Sequence, residues 1–266
     1  MKRKFIASIF LWLALMFGGQ FVGAFIAVLI MAVNTPDVFL NITSDNLQVL
    51  IDKLINPMLI TGVAFIFIGV FIKVCRIENE NKSFKEKFLD YINLHPLKDN
   101  MSYLEYFCFG LLINVVLSYV LELIYSILNI EGAEIFLTAT SLLSVFAIAF
   151  LVPIGEEILY RNRIYNSLMN ISPQKANILQ SLIFGISHGN IIQGIYTFVF
   201  GIIFGHVNEK QGSIAPSICM HCGINFYAAV SLYSPQCLIG LQILSLLSIP
   251  MIIRWIQTRK NTREIK

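Results

Sequence analysis

Residues 5–32 run for 28 positions without a charged side chain. A helix needs about 20 apolar residues to cross the hydrocarbon core of a bilayer. Within that core only a closed hydrogen-bonding pattern satisfies the backbone. Residues 54–72, 135–155, 189–205 and 222–253 are further uncharged apolar stretches. Of the 266 residues, 56% are hydrophobic and 13% charged, whereas soluble domains carry about a quarter charged residues. The chain therefore reads as an all-α, polytopic transmembrane helical bundle, and a soluble domain is excluded. The opening "MKRK" before an apolar run resembles a secretory signal. Signal cores are about 7–15 residues long, so the first run is expected to be a retained anchor. The net charge of +3 gives no basis for a nucleic-acid partner.

About eight spans fit the text, at 5–32, 54–74, 103–129, 135–157, 175–188, 190–208, 213–232 and 237–256. The fifth is short. The basic residues cluster in every second loop: Lys2, Arg3 and Lys4; Arg76, Lys82, Lys85, Lys87 and Lys98; Arg161, Arg163 and Lys175; and the tail from Arg254. The alternate loops carry Asp37 and Asp45, then Glu131 and Glu134. Cytoplasmic loops carry the lysine and arginine excess, so both termini are expected in the cytoplasm. The 75–102 loop is long enough to serve as a soluble hinge. Cys75, Cys108, Cys219, Cys222 and Cys237 form no disulfide framework. The Cys-x-x-Cys of "CMHC" lies in an apolar helical stretch, where cysteine packs as a small hydrophobe.

Four polar texts interrupt the apolar background: "EEILYR" (156–161), "FGISH" (184–188), "HVNE" (206–209) and "HCGIN" (221–225). Residues at i and i+4 share a helix face. Glu157 can therefore pair with Arg161, Phe184 shares a face with His188, and His221 with Asn225. The turn "NISP" (170–173) joins spans four and five. Glu156 lies 16 residues before Ser172 and His188 lies 16 after it. In an antiparallel hairpin both stand about 24 Å from the turn at ~1.5 Å per residue. Counted from the next turn, near Gln211, His221 and Asn225 lie about 15 and 21 Å along their helix. Spans four, five and seven can thus bring Glu156, His188, His221 and Asn225 around one cavity within the bundle. Pro153 withholds a hydrogen bond from the Ala149 carbonyl just before the carboxylates, and freed backbone at that depth needs protein or water as partner.

Bland readings compete with this one. Glu157 and Arg161 are equally suited to a structural pair at a helix exit. A lone His188 at a helix end is more simply interfacial, and His206 and Glu209 read as boundary residues. The combination of Glu156, His188, His221 and Asn225 favours chemistry. Ionisable residues within a membrane cost roughly 2.5–3.5 kcal/mol each on insertion scales. A carboxylate and an imidazole across a wet cavity can activate water as general base. An imidazole and an amide one turn apart can stabilise an oxyanion. No Gly-x-Ser-x-Gly elbow and no His-Glu-x-x-His pattern occurs. A zinc-dependent form using two histidines and a glutamate ranks below the metal-free mechanism, which requires no cofactor.

The three ordered texts "EEILYR", "FGISH" and "HCGIN" resemble the Glu-Glu-x-x-x-Arg, Phe-x-x-x-His and His-x-x-x-Asn motifs of the CAAX prenyl endopeptidase and bacteriocin-processing (CPBP) family. The likeness extends to Pro153 and to "EKQGSIAPSI", similar to the family's Gly-Ser-x-x-Pro entry to the last motif helix. It covers about residues 135–232. The resemblance implies an intramembrane glutamic endopeptidase acting on a peptide or membrane-protein substrate. Glu156 and His188 would activate water, His221 and Asn225 would form the oxyanion site, and Glu157 and Arg161 would support them. Older descriptions of the family as metalloproteases keep zinc in view. Eukaryotic and archaeal relatives cleave prenylated CAAX peptides, while bacterial ones are linked to peptide processing and bacteriocin self-immunity. The lysine-, asparagine- and isoleucine-rich usage points to a bacterial cytoplasmic membrane.

The expected organisation is N-terminal spans with a cytoplasmic loop (1–134), a catalytic core (135–232), and a last span with a basic tail (233–266). Two rival readings remain at this point. One is a catalytically idle bacteriocin-immunity or regulatory binding protein of the same fold. The other is a transporter, which is disfavoured because no inverted pair of interrupted helices is visible.

Overall fold

Helix is the only regular structure among the described residues. The computed structural model describes residues 2–36, 44–97, 102–128, 141–246, 248, 249 and 253. Asp37, Lys98, Glu131, Glu134, residues 135–140 of the fourth expected span and the tail from Arg254 lie outside them. The helices are α1 (Lys2–Asn34), α2 (Ser44–Cys75), α3 (Phe84–Tyr91), α4 (Tyr103–Leu128), α5 (Leu142–Leu168), α6 (Pro173–Ser187), α7 (Ile191–Gln211), α8 (Ala215–Tyr233) and α9 (Leu238–Leu246). A helix stands at each of the eight expected span positions, and α3 is added within the 75–102 loop. The cysteines are free, as expected.

Stretches of α1, α2, α4, α5 and α7 are long and apolar enough to cross a membrane on their own. Their outer faces expose large apolar side chains such as Phe10, Phe21, Ile127 and Ile195, a surface suited to hydrocarbon rather than water. The protein is thus an all-α integral membrane protein. With 15 residues, α6 is only about 22 Å long at 1.5 Å per residue, short of the ~30 Å hydrocarbon core. The fifth expected span is short in the structure as well.

The contacts divide the chain into two compact units, Met1–Lys98 with Leu151–Ser217, and Asp99–Phe150 with Ile218–Lys266. In the first unit α1 and α2 pack along small residues. Thr61 Oγ1 donates to the Gly19 carbonyl at 2.7 Å and also reaches the Pro57 carbonyl of its own helix. A side chain at Gly23 would overlap the Pro57 backbone. The α6–α7 hairpin is closed the same way. Gly185 faces Gly194, and Gly201 faces Ser181. Between them the buried Gln180 Nε2 donates to the Gly201 carbonyl at 3.1 Å, and Asn177 Nδ2 to that of Ile202 at 3.0 Å. Small residues let membrane helices approach closely and polar side chains bond across them.

Residues 75–97 of the 75–102 loop are fastened to the rest of this unit. Helix α3 begins with a capping box in which Ser83 Oγ accepts from the Glu86 backbone and the Glu86 carboxylate accepts from the Ser83 backbone. It ends on Asn93 in the left-handed region at φ 57°, with Leu94 N donating to the Leu89 carbonyl at 2.9 Å. That is the six-to-one bond of a Schellman stop, which asparagine tolerates. Beyond it, His95 N donates to Ser213 Oγ at 3.0 Å and Ser213 Oγ to the His95 carbonyl at 2.8 Å. Ile214 N donates to the Asn93 carbonyl at 3.0 Å.

Hydrogen bonds from the Ser83 side chain and backbone hold the Glu86 carboxyl below the ordinary carboxylate range. A carboxyl lowered in the folded state stabilises its helix above its unfolded pKa of about 4.3, and that contribution is lost as pH falls through the lowered value. The start of α3 is therefore expected to stay constant from neutral pH down to about 4.3 and to loosen at more acid pH. NMR titration of the Ser83 and Glu86 amide shifts checks this. Ser83→Ala should move the transition up toward the ordinary range.

In the second unit α4 crosses α8 backbone to backbone. A side chain at Gly110 would overlap the Met220 carbonyl, and one at Gly223 the Phe107 carbonyl. Asn114 Nδ2 donates to the Ile224 carbonyl at 2.8 Å. Leu111, Val115, Tyr227 and Leu241 form the buried apolar cluster beside this crossing.

Candidate active site

Helix α5 does not end at the charges. It continues to Leu168, past the expected end at 157, and Glu157, Tyr160, Arg161 and Asn162 are all buried. The "EEILYR" text (156–161) is therefore interior to a helix rather than at its exit. Two π-helical stretches, Ala147–Leu151 and Glu157–Ile164, flank the short α-helical turn Val152–Glu156. Single π-turns inside α-helices cluster at functional sites.

The first π stretch changes which carbonyl Pro153 leaves open. In an i→i−4 register the carbonyl left without a donor is that of Ala149, as expected from the sequence. In the i→i−5 register it is that of Ile148. Asn225 Nδ2 of α8 donates to the Ile148 carbonyl at 3.1 Å. The proline defect thus has a protein partner, and the last residue of the third motif supplies it.

In the first unit, Arg161 Nε stands 3.3 Å from Glu157 Oε2, with both side chains fully buried. The guanidinium lies over the Phe184 ring at 4.1 Å and the Phe204 ring at 5.3 Å. Phe184, itself 1% exposed, meets the His188 ring edge-on at 4.7 Å. The second motif is thereby explained: its phenylalanine is the floor under the arginine of the first motif and the wall beside its own histidine. Tyr160 OH donates to Ser187 Oγ at 2.8 Å, and Ser187 Oγ to the Phe184 carbonyl at 2.7 Å. Arg161 lies 11 residues before Ser172 and Phe184 lies 12 after it, so the hairpin is level across the turn as the helix rise requires. Ser172 caps α6 by accepting from Lys175 N at 3.2 Å, with Pro173 next.

His188 ends α6, half-buried, with Nδ1 2.8 Å from the Phe184 carbonyl oxygen. A carbonyl oxygen only accepts, so Nδ1 carries the proton in this bond and Nε2 is the ring's acceptor. Glu156 is half-buried at the end of Val152–Glu156. One residue earlier, Gly155 lies against Val63 of α2, where a Cβ would come within 2.9 Å of its side chain.

In the second unit, His221 is buried and Asn225 half-buried, one turn apart on α8. Their helix is held by the Gly110–Gly223 crossing. A valine at Gly223 is expected to force α4 and α8 apart and to lower the unfolding midpoint markedly. Alanine at Gly18, which has open space around it, is expected to stabilise by about 0.5–1 kcal/mol through helix propensity. Thermal unfolding of both variants in detergent makes the comparison.

Sequence reasoning did not anticipate Tyr160, Phe204, Gly110 or the Asn177–Gln180 bonding. The signal for the last was present as polar residues three apart on one face of a short helix. For Phe204 there was none, since an aromatic in an apolar span is unremarkable. His206 and Glu209 are exposed near the end of α7, as boundary residues should be. Among the described residues no three His, Cys, Asp or Glu side chains group closely enough to hold a metal ion.

Residues 138–227 match the family model for Rce1-like type II CAAX prenyl endopeptidases. No curated protein matches the chain, and no solved structure does. The matched segment holds Glu156, Glu157, Arg161, Phe184, His188, His221 and Asn225 together. Over residues 138–227 this integral membrane protein is similar to the Rce1-like type II CAAX prenyl endopeptidases, in line with the likeness of its three motifs.

Proposed function

We propose that the protein is an intramembrane endopeptidase of the glutamic type. Glu156 takes a proton from water while His188 Nε2 holds it, and the oxygen of that water attacks the scissile carbonyl. His221 and the Asn225 amide donate to the oxyanion as it forms. The C–N bond then breaks, and the proton held by Glu156 goes to the leaving amine. The observation that carries this reading is the 2.8 Å contact between His188 Nδ1 and the Phe184 carbonyl. With Nδ1 bonded to the Phe184 carbonyl, Nε2 is left as the basic nitrogen. Asn225 fits as well, because its amide carries two N–H groups and the Ile148 carbonyl takes one of them. Glu157 and Arg161 support the geometry through their buried pair.

The substrate is a peptide, or a membrane protein cut near the bilayer face. Both termini lie on the cytoplasmic side of a bacterial membrane, in line with the lysine and arginine excess of alternate loops. The test is cleavage of a peptide library by purified protein in detergent, read by mass spectrometry, for wild type and Glu156→Gln, each with and without chelator. Cleavage by wild type alone, unaffected by chelator, is expected. Equal cleavage by Glu156→Gln sinks the mechanism, no cleavage by either protein favours the idle binding protein, and chelator-sensitive cleavage turns the reading to zinc.

A further inference from the structure

The start of α1, the end of α2, α3 and the last turns of α5 border an open cavity of about 520 Å³. All of these belong to the first unit. The volume falls in the range of small-molecule sites, about 300–1,000 Å³. Among the described residues the lining holds two cations, Lys73 and Arg163, and no carboxylate. Ser8 and Asn166 add a hydroxyl and an amide.

Arg163 is held in place for recognition. Its guanidinium stacks on Tyr91 at 4.1 Å, with Trp12 at 5.9 Å, and Nη2 donates to Asn162 Oδ1 at 3.2 Å. Its Nε is buried without a hydrogen-bond partner among the described residues. The planar guanidinium matches the oxygens of a phosphate, and a lysine ammonium adds a second point charge. Trp12 and Tyr91 are residue types that gather at the membrane–water interface. Next to the cavity, Leu11 and Phe10 of α1 are exposed and apolar. Basic pockets between membrane helices take acidic lipid headgroups.

We propose that this cavity binds a phosphate group, with Lys73 and Arg163 as its cations and the headgroup of an anionic phospholipid as its source. The acyl chains then lie along the apolar face of α1 that carries Phe10 and Leu11. The site is separate from the proposed hydrolysis and does not depend on it.

The sequence has two tryptophans, so a Trp255→Phe chain reports from Trp12 alone, a residue that lines the cavity and is 3% exposed to solvent. This chain is placed in phosphatidylcholine nanodiscs doped with brominated phosphatidylglycerol or, at equal mole fraction, brominated phosphatidylcholine. The brominated anionic lipid is expected to quench Trp12 several-fold more strongly. Lys73→Gln, at an exposed position, should reduce that preference, and Lys73→Gln with Arg163→Gln should abolish it. Lys85→Gln, which alters net charge outside the cavity, should leave it intact.

Added glycerol 3-phosphate separates the sources. No recovery of fluorescence supports the lipid, whereas full recovery assigns the site to a soluble phosphate ester and overturns the lipid assignment. Equal quenching by the two lipids, or a preference that Lys73→Gln leaves unchanged, overturns the phosphate site itself.

Discussion

Glu156→Gln is expected to lower the cleavage rate by about 10²–10⁴-fold, the usual contribution of a general base, while leaving the unfolding midpoint in place. The two side chains have the same shape. Glu156 is half-buried, and the structural carboxylate on this helix is its neighbour Glu157, which keeps its pair with Arg161 in the variant. The substitution therefore removes a proton acceptor while keeping the side chain's shape and one accepting oxygen. Cleavage assays and thermal unfolding on the same preparation read both halves. A fall in midpoint as large as that of a Glu157 variant would show that Glu156 serves folding.

Arg161→Met is expected to do the opposite, destabilising the protein by about 3–5 kcal/mol because it leaves Glu157 buried without its cation. Both side chains of the pair are fully buried. The guanidinium also lies against Phe184 and Phe204, and a desolvated cation–π contact adds about 2 kcal/mol. Glu157→Leu with Arg161→Met removes both charges together, and such double replacements are often neutral or stabilising. Chemical unfolding of the two single variants and the double variant gives the coupling. A destabilisation by Arg161→Met below about 1 kcal/mol would mean the pair holds nothing in place.

These two adjacent glutamates show how far the text could be read. Their spacing to Arg161 announced an i,i+4 pair, and the turn "NISP" announced a level hairpin; both are present. The spacing named Glu157 as the partner of Arg161, and the structure has that pair fully buried with Glu156 half-buried beside it. Phe184 was legible as a face-mate of His188 but not as the floor under a guanidinium carried by another helix.

The sequence by itself determined that the chain is helical and membrane-embedded, that proline and serine close the α5–α6 turn, and which side chains share a face. Each of these follows from local periodicity, backbone chemistry or transfer free energy. Tertiary structure alone decided the rest: the shift of the open carbonyl from Ala149 to Ile148, its bond to Asn225, the docking of His95 on Ser213, and the backbone contact at Gly110 and Gly223. Those depend on how closely two helix axes approach and on which hydrogen-bond register a strained turn adopts. Both are set by partners roughly 75–120 residues away in the chain, which no local pattern records.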